Sequence, residues 1–420
     1  MKLIVYMNFF ISLVFTLCYF YQLVYVLVGL FKKKFPDEAS KNHRFAVVVS
    51  ARNEGNVIGN LIRSIKTQTY PSELIDIFIV ADNCTDNTAS ICRELGANVY
   101  ERFNTTLVGK GYALDWLFKK IDADYGDSAY DAYIVFDADN VIEPNFIEEM
   151  NKTYSSGYRI ITSYRNSKNY GENWITAGYS LWFLREAKFL NNARMNLGTS
   201  CAISGTGFLV ATSVIKENGG WIHHLLTEDI EFTTDSIIKG EKIGYCRNAM
   251  LYDEQPTSFY QSYIQRLRWS KGFYQVFMKY SKGLIKGIFK GNFSCYDMFM
   301  TLTPAMLLTL LSTVINIIAV PVGFVMASEE IPMVLKSLAQ TFMSFYGIFF
   351  FLGVVTTITE WKQIHCKAAK KLLYTLTFPL FMLTYVPISI IALFKKVKWE
   401  PIKHSVSKTI SEICSDSPSA

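Results

Sequence analysis

Four short polar clusters stand in fixed order along the chain: Asp82-Asn83-Cys84-Thr85-Asp86-Asn87-Thr88, Asp137-Ala138-Asp139, Thr227-Glu228-Asp229 and Gln265-Arg266-Leu267-Arg268-Trp269. Their side-chain types divide the work of one reaction. A lone carboxylate can accept a proton from a nucleobase, a carboxylate pair can hold a hard cation, a further carboxylate can act as a base, and guanidiniums beside an indole can receive a departing diphosphate. Together they supply what displacement of a nucleoside diphosphate by a hydroxyl requires.

Each cluster also has a plainer role. Asp82 directly follows Ile79-Val80-Ala81, so a strand would deliver it to a sheet edge, where it could accept the imide hydrogen of a uracil. Helix capping near Thr88 is the competing role, and it suits Asp86 better. Asp137 and Asp139 end the run Tyr133–Phe136, and alternation along an extended chain puts both on one side, facing a single ion. Because only oxygens are offered, that ion is expected to be Mg²⁺ or Mn²⁺. Gly109-Lys110-Gly111 lacks the upstream glycine and following Ser/Thr of a Walker loop; ahead of a helix at Tyr112–Lys119, Lys110 either reaches donor phosphates or simply starts the helix.

Thr227 reads as a helix cap, and the helix dipole accounts for Glu228 and Glu231, which leaves Asp229 as the candidate base. Gly205, Thr206 and Gly207 either let the backbone approach a bound sugar or form a tight turn. With Glu228 and Trp269 they make up the candidate acceptor wall. In the basic aromatic stretch Tyr260–Lys290, the part from Lys279 on suits a helix lying on a membrane surface. Arg266 and Arg268 are suited instead to a diphosphate and Trp269 to a sugar ring, with Gln265 beside them.

To bring these clusters together the chain needs a sheet. Phe45–Ser50 is a continuous apolar run ending in Ala51-Arg52-Asn53-Glu54 and followed by a helical pattern through Val57, Ile58, Leu61, Ile62 and Ile65. Ile75–Ala81 and Tyr133–Phe136 repeat the arrangement. Buried parallel strands deliver their polar ends to the carboxyl edge, where open α/β sheets bind ligands. Ala51, Arg52 and Glu54 therefore join Asp82, Lys110 and Asp137 as candidate nucleotide contacts.

The chain has 420 residues, of which 50% are hydrophobic and 15% aromatic, enough for a full α/β domain and membrane helices. Net charge is only +6 and the lysines cluster beside apolar stretches, which suits an anionic inner leaflet; no nucleic-acid motif is present. Eight dispersed cysteines read as reduced thiols, and the adjacent His223-His224 reads as a surface or loop feature, since neighbours rarely point at one ion.

Leu3–Phe31 is uncharged and then meets Lys32-Lys33-Lys34, the pattern of a retained anchor with its C-terminal end in the cytosol. Met298–Ala327 and Pro332–Ile358 are two further spans. Leu372–Phe394 is apolar but carries Pro379 and Pro387. Four simple crossings would put the lysines after Phe394 outside, so this segment is expected to be re-entrant or interfacial. The resulting division is an anchor (1–31), a cytosolic α/β domain (43–257), an interfacial segment (258–297), a membrane region (298–394) and a basic tail (395–420).

From about Phe45 to Trp269 the set resembles the membrane-integrated branch of glycosyltransferase family 2, relatives of cellulose, chitin and hyaluronan synthases and of bacterial exopolysaccharide transferases. That resemblance implies a GT-A fold, a UDP-sugar donor and inversion in one displacement. By resemblance, Asp82 contacts uridine, Asp137 and Asp139 hold nucleotide and metal, Asp229 is the base, and Gln265, Arg268 and Trp269 meet the Gln-x-x-Arg-Trp motif of processive members. The expected activity is transfer of a hexose or N-acetylhexosamine to a growing or lipid-linked glycan at the plasma membrane. Transfer of one sugar to polyisoprenyl phosphate or diacylglycerol, or a silent nucleotide-binding scaffold, are the rivals. With few helices to form a channel, an accessory membrane subunit is a further expected partner. Trp399–His404 could serve as a gating loop.

Overall fold

Phe45-Ala46-Val47-Val48-Val49 has no polar face, so it can be a strand only where both faces are covered. A computed structural model of the chain describes residues 2–31, 39, 41–302, 311, 312, 314, 315, 318, 331–402 and 404–415, and it places this run inside an eight-stranded sheet. The strands are β1 (Phe45–Ala51), β2 (Ile75–Asp82), β3 (Asn98–Arg102), β4 (Ala132–Asp137), β5 (Val141–Ile142), β6 (Ile160–Ser167), β7 (Phe208–Ala211) and β8 (Ile243–Asp253), in the order β3-β2-β1-β4-β7-β6-β8-β5. Strands β1 to β4 are mutually parallel, β7 runs antiparallel between β4 and β6, β6 and β8 are parallel, and β5 is an antiparallel edge.

The helices are α1 (Lys2–Tyr19), α2 (Tyr21–Val28), α3 (Ile58–Lys66), α4 (Thr88–Glu94), α5 (Lys110–Tyr125), α6 (Phe146–Ser155) and α7 (Trp174–Arg185), the last running through a π-helical turn, Glu186–Asn191, into α8 (Asn192–Leu197). They continue with α9 (Thr212–Glu217), α10 (Glu228–Lys239), α11 (Phe259–Phe289) and α12 (Phe293–Leu302). Alternate residues of β1 enter different layers: Ala46 and Val48 pack with α5, and Phe45, Val47 and Val49 with α3 and α6. Register then does the positioning. Ser50 lies opposite both Val80 and Asp137, and Ala51 opposite Ala81, so the polar ends of β1, β2 and β4 emerge at one edge.

Three helical stretches, Tyr6–Val28, Phe342–Thr359 and Ala368–Phe394, are long and apolar enough to cross a membrane. The expected anchor is broken at Phe20 into α1 and α2. The expected span Met298–Ala327 lies largely outside the described residues. The expected span Pro332–Ile358 falls within the helix Ile331–Thr359; at its end the buried Glu360 accepts from Tyr164 Oη (2.5 Å) and pairs with Lys188 (3.3 Å), tying the helix to the sheet. The Leu372–Phe394 stretch forms two helices, Ala368–Leu383 and Tyr385–Phe394. Their break is at Thr384; Pro379 is accommodated inside the first helix, and Pro387 falls in the first turn of the second, where no intrahelical donor is lost. A buried Arg194–Asp297 pair (2.6 Å), with Tyr21 and Tyr25 also donating to Asp297, locks α2, α8 and α12 together; pairing of this kind is what makes a buried charge tolerable.

Candidate active site

The carboxyl edge is shaped by two asparagines in left-handed conformation, Asn53 (φ 57°) and Asn83 (φ 53°). Asn53 Oδ1 accepts from the Thr85 amide (2.8 Å), and Asn83 bonds both backbone groups of Asn104. Asp86 accepts from the Thr88 amide and hydroxyl, which is capping, and also from Gly55. Asp82 is buried beside Arg102, its partner in register on β3, and Arg102 Nη1 donates to its Oδ1 at 2.5 Å. One oxygen of the expected base contact is thus already held.

A cavity of about 1130 Å³ opens at this edge. Its lining gathers Arg52, Glu54, Asp82, Lys110, Asp137, Asp139, Gly205, Glu228, Asp229, Gln265, Arg268 and Trp269. Lys110, the first residue of α5, donates to Asp137 Oδ1 (2.5 Å) and to the Gly205 carbonyl (2.7 Å), bridging two of the clusters. Gln265, Arg268 and Trp269 recur at helical spacing on one side of α11. Trp269 packs edge-on to Tyr179 and Phe183.

Four expected contacts lie outside the lining, each for a local reason. Arg266 is turned about 100° from Gln265 around α11. Its Nη1 donates to Thr384 Oγ1 (2.6 Å) and it sits over Phe381 and Tyr385, so it clamps the apolar helices Ala368–Leu383 and Tyr385–Phe394. Thr206 is buried, accepts from the Asp137 amide (2.9 Å) and donates to Asn140, so it positions Asp137 from behind. Gly207 (φ 63°) has no room for a Cβ against Leu251 and Ser163, and its glycine is a tight-turn requirement. Ala51 is buried in the sheet. Asp137 and Asp139 do meet at the cavity, but not by strand alternation: β4 ends at Asp137, and a turn closed by the Asn140 amide on the Asp137 carbonyl (3.2 Å) carries Asp139 round. Thr227 precedes α10 without a side-chain cap bond. His223 and His224 lie in the loop before α10, His223 buried against Asp235 (3.0 Å) and His224 stacked on Tyr112.

The cavity also contains residues outside the four polar clusters, among them Trp399 and His404 from the stretch that could serve as a gating loop. Arg165 on β6 pairs with Asp253 at the end of β8, donates to the Ser204 carbonyl and covers the Phe183 ring at 3.7 Å. The C-terminal tail closes over the edge. His404 Nδ1 lies 2.9 Å from Glu54 Oε1, the Ser405 and Val406 amides donate to Glu254, and Arg52 sits over Trp399 at 5.4 Å. The acidic Asp253-Glu254 at the end of an apolar run was a usable signal; the reach of His404 was not.

Burial dominates the electrostatics. It raises Asp229 above the usual carboxylate range, with Lys110 and Arg165 opposing the rise, and together with the Asp229 charge it pushes Glu228 up to about 7. Burial and the charges of Asp139 and Asp137 likewise lift Asp253 to about 6 against Arg165. For Asp139 burial is outweighed, chiefly by His404 and Lys168, and its carboxyl is held below the usual range. For His404 burial is outweighed by Asp139, Glu54 and Glu254, which push it up to about 10. Burial holds the Arg268 guanidinium low despite Glu228, Asp137 and Asp229.

Among the described residues no three His, Cys, Asp or Glu side chains converge as a metal cage. Asp137 and Asp139 instead offer two hard oxygen donors facing a cavity large enough for a diphosphate, and Mg²⁺ commonly completes such sites with phosphate and water oxygens. The pair fits a cation that arrives with its nucleotide.

With this geometry in view, comparison with known proteins gives a consistent result. Residues 43–272 match "Glycosyltransferase like family 2", and the chain belongs to that family. It is 26% identical over 240 residues to a beta-monoglucosyldiacylglycerol synthase of Synechocystis, covering 56% of this chain and 48% of that protein. It is 23% identical over 236 residues to a poly-beta-1,6-N-acetyl-D-glucosamine synthase of Staphylococcus epidermidis, covering 55% of each. The chain spans about half the length of these curated relatives. Among solved structures, a mannosyltransferase of Pyrobaculum calidifontis in complex with GDP-Man and Mn²⁺ superposes with a TM-score of 0.59 at 13% identity, covering 92% of this chain and 99% of that one. The fold is of GT-A type.

Proposed function

We propose that the chain moves a hexose or N-acetylhexosamine from a UDP-sugar to a lipid-linked or growing glycan at the inner face of the plasma membrane, inverting the anomeric carbon. The supporting observation is one cavity: it holds Asp229, the Asp137–Asp139 pair and Arg268, and continues between the apolar helices. An acceptor hydroxyl against Asp229 gives up its proton as its oxygen bonds to the anomeric carbon. The bond from that carbon to the diphosphate breaks on the opposite face, and UDP departs toward Arg268 and Lys110. Asp82, with Oδ1 held by Arg102, keeps its other oxygen for the uracil imide. A divalent ion at Asp137 and Asp139 would neutralise diphosphate charge.

Two further contacts support an arrangement in the membrane. Lys370 Nζ donates to the Gly171 carbonyl (2.5 Å) near the start of the Ala368–Phe394 segment, and Lys271 Nζ to the Ala392 carbonyl (3.1 Å) near its end. One end therefore reaches the α/β domain and the other the adjoining α11, which supports a re-entrant or interfacial segment and a tail on the cytosolic side.

The test is to incubate the purified full chain with labelled UDP-sugars, Mn²⁺ and lipid extract, then measure UDP release and product size. One UDP-sugar should be consumed into a glycolipid or polymer. Asp229→Asn should lose about a hundredfold or more of the rate while still binding UDP. A wild-type protein that neither binds nor consumes any UDP-sugar would refute the proposal.

A further inference from the structure

The cavity does not end at Asp229. It passes Trp182, Arg185 and Glu186 and opens between α2, at Gln22 and Leu23, and the helix Ile331–Thr359, at Phe351. Leu23 and Phe351 are 51% and 53% exposed, in stretches apolar enough to lie in a bilayer. Arg185 is only 6% exposed at this junction. Its Nη2 donates to Gln22 Oε1 (2.8 Å) and its guanidinium covers Trp182 at 5.0 Å, but its Nε has no acceptor. No carboxylate among the described residues pairs with it, whereas Arg194, on the same helical stretch, is fully paired with Asp297. Burial, with a smaller push from Arg194, holds Arg185 down to about 10 against Glu186 and Tyr21, and the neighbouring Glu186 is itself raised by burial, so it is a poor counterion. The π-helical turn begins at the next residue, an irregularity that recurs at functional sites.

We propose that Arg185 and Gln22 bind the phosphate of a lipid-linked acceptor whose hydrocarbon chain lies between α2 and the helix Ile331–Thr359 and whose sugar hydroxyl reaches Asp229. This rests on the transferase reading above. Three chemistries select the ligand. An apolar groove asks for a hydrocarbon chain, an unpaired buried guanidinium asks for an anion, and a carboxylate base asks for a nucleophile that carries a proton. A diacylglycerol satisfies the first and third but leaves Arg185 unpaired. A lipid monophosphate attacking through its own oxygen needs no base. A glycan hydroxyl joined through phosphate to a lipid satisfies all three.

The test uses full-length protein in detergent and compares binding of farnesyl phosphate with uncharged farnesol, with UDP binding measured on every sample. Wild type should favour farnesyl phosphate about tenfold or more, and inorganic phosphate should not displace it. Arg185→Gln should abolish the preference, Arg185→Lys should keep part of it, and UDP binding should persist in both. If Arg185→Gln does not fold, Leu23→Trp should weaken farnesyl phosphate binding by filling the groove while UDP binding is unchanged. Equal binding of the two lipids, full competition by inorganic phosphate, a preference retained in Arg185→Gln, or an inert Leu23→Trp would overturn the site. UDP binding in the same samples separates that result from failure of the transferase reading, which absence of UDP binding in wild type would signal.

Discussion

Asp82 and Asp137 end β2 and β4, the two strands that flank β1 and whose register holds them at one edge, whereas Arg268 and His404 reach the same cavity from elements attached to the apolar helices. The anionic half of the site is built on a rigid sheet. The cationic half rests on α11, which packs along Tyr385–Phe394, and on the tail that follows that helix. In the proposed reaction, metal and nucleotide are received by groups at the sheet edge, while the departing UDP is met by Lys110 on α5 and by Arg268, whose position depends on the apolar segment Tyr385–Phe394.

The largest test of that contrast uses two arginines on α11. Arg268→Ala should lower kcat by about a hundredfold to a thousandfold, with little change in melting temperature. Arg266→Ala should do the opposite, lowering the melting temperature in detergent while folded protein keeps most of its kcat, because Arg266 bonds Thr384 and is buried among aromatic rings. A rate loss in Arg266→Ala at unchanged stability would break the comparison. On the rigid side, Asp139→Ala should weaken Mn²⁺-dependent UDP binding about tenfold or more by equilibrium titration.

Removing the tail contact should have a smaller effect. His404→Ala frees Glu54 and should raise KM for the donor several-fold with a lesser change in kcat, since the tail covers the site and does not touch the reacting bond in this reading. The smallest effect is on the pH profile. With Glu228 pushed up to about 7 and Asp229 beside it also raised by burial, kcat/KM should rise with pH as the pair loses its protons. Glu228→Gln removes the carboxyl that titrates at about 7 and should take with it the part of the acidic limb near that pH. An unmoved limb would show that the two carboxylates titrate independently.

Much of the rigid half was legible because strand-end logic is local. A run such as Tyr133–Phe136 must be buried on both faces, so its polar end must lie at an edge, and parallel register brings such ends together. Even there, the turn at Ala138–Asn140 was not visible, because alternation says nothing once a strand stops. On the other half, Gln265, Arg268 and Trp269 were found with Arg266 counted among them, since the motif is contiguous in sequence while the helix turns about 100° per residue. Arg165 gave no signal as an isolated charge in an apolar strand, and its role depends on Asp253, 88 positions away.

The amino-acid sequence by itself determined that apolar runs end in carboxylates, that an acidic helix start follows, and that apolar stretches flank the domain, because each depends on spacing over a few residues. Tertiary structure alone decided which arginine enters the cavity, that His404 returns to Glu54 across 350 residues, and that Arg185, bonded to Gln22, meets no carboxylate among the described residues. The physical reason is that burial and pairing of a charge depend on what packs against it, and those neighbours come from distant parts of the chain.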